Sequence, residues 1–401
     1  MYIYNYISRT FLIMAVSMLC SFFGTILLAN KVSTEAFGLL SLLKSLLPMC
    51  SMLLLLGIDK SYIKKYSNSE VEKVSSFLLP VIFIGGLLVS YTFCIIYNLD
   101  SYIFYIALCI IFGAINLFLA SFARLKDFYG IAQIIHGGHK IAFLLLVIIF
   151  LVFLEIQSYQ IILIYTLSLL LPSLYLFKYL KFESNLDGSL QFSDFCNLYK
   201  YGLLFFSANI LNLLIVNMER LILPFVYGNE VLGVYTALTY IYITIFTMIG
   251  SSIGYVLFPE LSKKNLTNYK KLILISSLII LFFSIIFYLF GYQINSIIYN
   301  YKFDSWRSYN IDIMIIIIGA LQFLNGIMHW FILGLGDKKQ IIGYLKIIFF
   351  VLITYFISMC YVTIDSKVNY DTILSIVLFG WILKVICTFY YIRRIKIFYV
   401  K

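Results

Sequence analysis

Twelve long apolar stretches, separated by short polar gaps, account for most of this chain of 401 residues. They cover roughly residues 11–29, 37–57, 75–97, 102–123, 132–154, 160–180, 202–224, 232–258, 270–290, 311–335, 341–361 and 371–392. A helix crossing a bilayer needs ~20 mostly apolar residues, and in lipid only helices and closed barrels satisfy their own backbone hydrogen bonds. The pattern predicts an all-α integral membrane protein of twelve transmembrane helices. The first stretch is too long for a signal-peptide core, and no small-x-small cleavage site follows it before the second, so it reads as a retained helix.

The polar gaps are not alike. Of the 29 Lys and Arg, 20 fall before the first stretch, after the last, or in every second gap. They include Arg9, Lys60, Lys64, Lys65, Arg124, Lys178, Lys200, Lys263, Lys270, Lys338 and Arg393. The opposite gaps hold only four, Lys31, Lys302, Arg307 and Lys367. Basic loops stay on the cytoplasmic side, so both termini are expected there. A net charge of +11 distributed in this way orients a membrane protein and does not describe a nucleic-acid surface. Composition agrees: 63% hydrophobic and 12% charged residues lie far from the usual balance of a soluble domain.

The most polar interior stretch, with Glu183, Asn185, Asp187 and Asp194, falls at the midpoint. It divides the chain into an N-terminal six-helix lobe (1–185), a cytoplasmic linker (186–200) and a C-terminal six-helix lobe (201–401). Shifting the chain by 195 residues places Glu35-Ala-Phe-Gly38 on Glu230-Val-Leu-Gly233, each at the start of the second span of its half. Equal span counts and equal starting orientation support two parallel repeats. Spans 5 and 9, apolar on all sides over 141–154 and 278–290, are expected at the periphery.

Spans 1, 2, 7 and 8 carry polar stripes instead. At 100° per residue, Ser17, Ser21, Gly24 and Thr25 share one face of span 1, and Ser41, Lys44, Ser45 and Pro48 one face of span 2. Asn209, Asn212, Asn217, Glu219 and Arg220 occupy half of span 7, and Thr236, Thr239, Tyr240 and Thr247 align in span 8. These helices are expected to line a central cavity, although small polar residues also serve plain helix packing in membranes.

Five cations lie inside spans: Lys44, Lys140, Arg220, Lys346 and Lys384. A basic side chain at the bilayer centre costs ~2.5–3.5 kcal/mol on insertion scales. Lys140 and Lys346 are near enough to the cytoplasmic face to snorkel; Lys44 and Lys384 are not. Pro48 follows Lys44 by four positions and Pro224 follows Arg220 by four. Each proline removes the backbone N–H that would bond the cation's own carbonyl, and such opened turns form binding sites in transporters. Pro224 could instead end span 7, with Arg220 at the helix terminus. Glu219 is either a protonatable coupling site or an interfacial carboxylate. Gln322, Asn325 and His329 share a stripe of span 10 that suits interhelical hydrogen bonds. The seven cysteines and three histidines form no ligand-like cluster, so no metal, cofactor or catalytic group is expected.

The run Lys31-Val-Ser-Thr-Glu-Ala-Phe-Gly38, continuing to Leu56-Gly57-Ile58-Asp59, resembles the first helix pair of the Wzx-type O-antigen flippases. Tyr201-Gly202, Glu219-Arg220-Leu-Ile-Leu, Gly233-Val-Tyr235 and Phe258-Pro-Glu-Leu261 resemble the opening of their second half. The resemblance implies the fold of the multidrug/oligosaccharidyl-lipid/polysaccharide exporter superfamily, two six-helix lobes around a V-shaped central cleft lined by helices 1, 2, 7 and 8. It also implies an activity: moving undecaprenyl-diphosphate-linked O-antigen or related polysaccharide repeat units across the bacterial cytoplasmic (inner) membrane, within lipopolysaccharide biosynthesis. Implied partners are that lipid-linked oligosaccharide, membrane lipid, a polysaccharide polymerase and a chain-length regulator. Cavity residues would be Lys44, Arg220, Glu219, Asn209, Asn212 and Lys384, with Pro48 and Pro224 as helix breaks. A MATE-like multidrug or cation exporter would favour acidic cavity residues. A membrane enzyme such as an O-antigen polymerase would favour a long external loop, yet the longest external gap, about 291–310, offers only Lys302, Asp304 and Arg307 as charges.

Overall fold

Among the described residues, twelve α-helices form where the apolar stretches lie, and each extends past its stretch at one end or both. They are α1 (Tyr2–Lys31), α2 (Thr34–Leu55), α3 (Val71–Tyr97), α4 (Ile103–Leu125), α5 (Tyr129–Phe153), α6 (Ser158–Phe177), α7 (Phe192–Tyr227), α8 (Asn229–Ser262), α9 (Tyr269–Ile298), α10 (Tyr309–Leu335), α11 (Lys338–Val362) and α12 (Tyr370–Arg394). This computed structural model describes residues 2–58, 71–125, 129–154, 156–177, 192–262, 269–336, 338–362 and 369–394. The basic residues Lys60, Lys64, Lys65, Lys126, Lys178, Lys181, Lys263, Lys264, Lys396 and Lys401, the external Lys367, and residues 186–191 of the expected linker lie outside that set. Residues 192–200 already belong to α7.

Eleven helices contain a stretch long and apolar enough to cross a membrane; α6 has a shorter one, Ser158–Leu174. At 1.5 Å per residue that run spans ~26 Å, somewhat less than a ~30 Å hydrocarbon core. The chain is a multi-pass membrane protein.

Local chemistry sets the helix starts. Ser33 caps α2, its hydroxyl accepting from Ala36 N at 3.2 Å, and Ser308 caps α10 in the same way through Ile311 N. Asn369 accepts from Asp371 N and Thr372 N at the start of α12. Between α7 and α8 the chain turns on one residue, Gly228, with φ +86°, a conformation natural to glycine.

The chain divides into two compact units, Met1–Leu213 and Leu214–Lys401, with the boundary inside α7. The same plan recurs in both. The second helices, α2 and α8, begin at Thr34 and Asn229, the 195-residue offset of the Glu-x-x-Gly repeat. The third helices, α3 and α9, are each followed by a left-handed asparagine (Asn98 φ 54°, Asn300 φ 50°) and a 310 turn, Asp100-Ser-Tyr102 in one and Asp304-Ser-Trp306 in the other. Within each unit the fourth helix packs against the second, third and sixth, and the fifth against the sixth.

Burial follows that plan. In α2 and α8, 67% of the best apolar stretch is buried, against 17% in α9. On α5, Leu145, Ile148, Ile149, Val152 and Phe153 are exposed, and on α9 Leu278, Leu281, Phe282, Ile285 and Leu289. These faces suit lipid tails, as expected for the two all-apolar spans. The third helix of the first unit joins them, exposing Phe83, Ile84, Leu87, Leu88 and Tyr91.

Candidate functional site

The polar stripes of spans 1 and 8 are mostly packing surface. Ser17 and Thr25 on α1 are buried, and their hydroxyls donate to Ile13 O at 2.7 Å and Ser21 O at 2.6 Å. A Cβ on Gly137 of α5 would strike Ser17, and one on Gly24 would lie 3.0 Å from the Phe143 ring. Small residues let α1 and α5 approach closely, the usual membrane packing device. On α8, Thr236 and Thr239 are buried likewise, with Thr239 donating to Tyr235 O at 2.8 Å.

Lys44 is a different case. Its helix starts three residues earlier than the apolar pattern indicates, so Lys44 lies ~15 Å along α2, near mid-bilayer. Nζ donates to Thr25 Oγ1 of α1 and sits 4.4 Å from the centroid of the Phe143 ring of α5. A hydroxyl and an aromatic face thus hold the ammonium between three helices, while the residue stays half-buried. His139, one turn before Phe143, lies within electrostatic reach of Lys44, Lys140 and His136. Lys44 and Lys140 thus share the surroundings of His139 in the first unit. Lys140, which the sequence assigns to snorkelling, is half-buried within this group.

The remaining sequence-derived site residues separate by unit and by depth. Asn209 and Asn212 on α7 are half-buried and belong to the first unit. Glu219, Arg220 and Lys384 belong to the second. Glu219 is 1% exposed and accepts a hydrogen bond from Tyr355 Oη of α11 at 3.1 Å, with Tyr235 of α8 and Arg220 in electrostatic contact. Arg220 is half-buried, and its Nε is buried without a hydrogen-bond partner. Lys384 is 1% exposed, its Nζ 4.6 Å from the centroid of the Trp381 ring. Pro48 and Pro224 both lie inside continuous helices. Pro224 does not end α7, which closes only at Gly228, whose N–H donates to Pro224 O at 3.1 Å.

A family model described as polysaccharide biosynthesis protein matches residues 5–265, well over half of the chain. The chain belongs to this family.

Solved structures similar to this polysaccharide biosynthesis protein share its fold across nearly their whole length. One is the inward-facing conformation of a multidrug resistance MATE family transporter of the MOP superfamily (14% identity, 95% of this chain and 94% of that chain, TM-score 0.67). A MATE structure in complex with MaD5 aligns at 15% identity over 97% and 95% (TM-score 0.66). A MOP superfamily transporter from Pyrococcus furiosus, described as having a binding pocket of reversed polarity that suggests a different function, aligns at 15% over 97% and 95% (TM-score 0.64). At these identities the likeness establishes the fold. No curated protein matches the chain.

The sequence missed the partners that make these sites specific. Phe143 reads as one apolar residue in an apolar span, Tyr355 as one of 34 tyrosines. The one available signal was the cation itself: a buried charge needs partners, but helical periodicity does not say which neighbouring helix supplies them. Among the described residues, no group of three or more His, Cys, Asp or Glu is placed to hold a metal ion.

Proposed function

We propose that this protein is a flippase that moves an undecaprenyl-diphosphate-linked sugar repeat unit, of O-antigen or a related polysaccharide, across the bacterial cytoplasmic membrane. Both termini lie in the cytoplasm, and the protein acts by alternating access without enzymatic chemistry. Family membership supports the polysaccharide context, and the MOP transporter fold supports translocation.

The observation that carries the substrate reading is Lys44, a half-buried cation near mid-bilayer depth fixed by Thr25 and Phe143. A diphosphate needs such donors, whereas a cationic drug would be repelled by Lys44 and the nearby Lys140. Arg220, with its buried Nε lacking a partner, supplies a second cation. Asn209 and Asn212 suit sugar hydroxyls, and the polyprenyl tail stays in lipid. The reversed pocket polarity described for the Pyrococcus furiosus transporter is a precedent for a change of pocket polarity on this fold. A polymerase and a chain-length regulator would be the partners downstream.

Losing one charge-assisted contact of ~1.5–3 kcal/mol should reduce surface polysaccharide at least about tenfold. Lys44→Ala and Arg220→Ala are each expected to do so at normal protein level in the membrane, with Lys44→Arg retaining more than Lys44→Ala. Full-length polymer from both alanine variants would sink the cationic-site reading. Gene disruption separates the flippase from a polymerase: loss of the flippase leaves essentially no displayed repeat units, loss of a polymerase leaves single ones. Raised sensitivity to toxic cations with normal polysaccharide would favour an exporter instead.

A further inference from the structure

The two repeated units differ at the turn that follows their third helix. In the first, the left-handed Asn98 (φ 54°) closes α3, the buried Leu99 (φ −112°) follows at once, and Asp100-Ser-Tyr102 forms the 310 turn. In the second, the left-handed Asn300 (φ 50°) closes α9, and the buried Phe303, also at φ −112°, precedes the turn Asp304-Ser-Trp306. Asn300 thus matches Asn98, and Phe303 matches Leu99. Tyr301 and Lys302 lie between them, an insertion of two residues that the first unit lacks.

Holding the insertion takes local strain. Tyr301 is itself left-handed (φ 62°), a conformation unfavourable for a bulky side chain, and it is 67% exposed. Its N–H donates to Ser296 O at 2.8 Å, and its carbonyl accepts from Asp304 N at 3.4 Å. Ser296 Oγ donates to Asp304 Oδ1 at 2.9 Å and accepts from Arg307 at 3.4 Å, while Arg307 is bound to Asp312. The residue that matches Arg307 after the first 310 turn is the uncharged Ile103. The buried ion pair that braces the turn is therefore particular to the unit that carries the insertion. Strained residues persist where their surroundings over-determine them, and they cluster at ligand sites.

The braced turn presents rings and amides. Trp306, 40% exposed, rests on Phe303 with centroids 6.3 Å apart, and Asn300, Ser305 and Asn310 are exposed in the same segment. Lys302 Nζ is 5.3 Å from the centroid of the Phe303 ring. Exposed rings can pack on the C–H faces of a sugar while amides and hydroxyls pair with its hydroxyl groups. Tyr288, Tyr292 and Tyr309, which lie within the apolar stretches Ile275–Ile298 and Tyr309–Leu333, suit the membrane interface. Tyr301 and Trp306 lie beyond both stretches.

We propose that the Tyr301-Lys302 insertion, together with Trp306, forms a glycan-holding platform on the external side of the second unit, which receives the sugar of the translocated repeat unit. Its place after translocation rests on the flippase reading and its orientation; sugar binding itself is measured without transport.

The test uses the full chain in phospholipid nanodiscs. The probe is the water-soluble glycan released by mild acid from the surface polysaccharide of the producing cell. Saturation-transfer NMR should show the glycan bound to wild type. Tyr301→Gly keeps the left-handed backbone, so it should unfold at an equal or higher temperature. It should nevertheless bind the glycan about fivefold more weakly, the scale of one stacked ring, as should Trp306→Ala. Deleting residues 301 and 302, which gives this turn the length of its first-unit counterpart, should abolish binding. With Trp330→Phe and Trp381→Phe, the emission of Trp306 should respond to the glycan. No binding to wild type, or equal binding by wild type, Tyr301→Gly and the deletion, would overturn the proposal. Quenching of Trp306 by brominated phospholipid with no response to glycan would also overturn it, marking the turn as a membrane anchor. Glycan binding alongside full-length polymer from Lys44→Ala would sink the cationic-site reading and leave the platform standing.

Discussion

Replacing Asp312 by Ala is expected to destabilise the second unit by ~3–5 kcal/mol, the cost of stranding a buried charge. The side chain of its partner Arg307 is 0% exposed and binds both carboxylate oxygens at 2.8 Å. The same guanidinium donates to Tyr242 Oη and Tyr292 O at 2.9 Å and lies 4.6 Å from the Tyr292 ring centroid. Tyr242 in turn donates to Asp312 Oδ1 at 2.9 Å. One arginine from the connection after α9 thus ties α8, α9 and α10 together. Arg307→Ala should match Asp312→Ala, because each leaves the other charge buried and unpaired. The double variant Arg307→Met, Asp312→Leu should recover a substantial part of the loss, since no orphan charge remains. Unfolding of the purified protein in mixed micelles, followed by circular dichroism, checks all three. A double variant as unstable as the sum of the singles would show that the pair is not a unit.

Gly57→Ala should be the second severe change. Leu56 and Gly57 close α2 in left-handed conformations, φ 45° and +76°, and Leu56 N–H donates to Met52 O at 3.0 Å. A Cβ at Gly57 would overlap the carbonyl oxygen of Gly202, and one at Gly202 would lie 2.8 Å from the Gly57 carbonyl carbon. Backbone meets backbone here, so no rotamer change can relieve the clash. Gly228 is the control: its φ is +86°, but a Cβ there meets nothing within 4 Å. Gly228→Ala should show only the left-handed penalty of ~1–2 kcal/mol. Gly57→Ala should add a further ~1–3 kcal/mol of overpacking. Equal effects of the two substitutions in the same unfolding measurement would remove the significance of the Gly57 and Gly202 contact.

These two sites show where reading the chain succeeds and where it stops. Leu56-Gly57 and Tyr201-Gly202 were visible as motifs, yet nothing in either motif says that the two glycines touch. Arg307 looked like one of four charges on the less basic side. Its side chain is instead completely buried, because α9 continues to Ile298, beyond the end of its apolar stretch, and the short connection folds back onto the helix ends. Of the candidate cavity residues, Lys44, Asn209, Asn212 and Arg220 remain half-buried, whereas Glu219 and Lys384 are enclosed.

The sequence by itself determined the membrane class, the twelve helices and the repeated plan. Those depend on local composition and on backbone hydrogen bonds that each helix satisfies alone. The peripheral place of α5 and α9 was determined in the same way, since a helix apolar on every side can rest in lipid. Only the tertiary structure decided which polar face meets which neighbour. It put Thr25 and Phe143 around Lys44, and Tyr355 on Glu219. Helical periodicity specifies which residues share a face; the packing of helices far apart in the chain specifies what that face becomes.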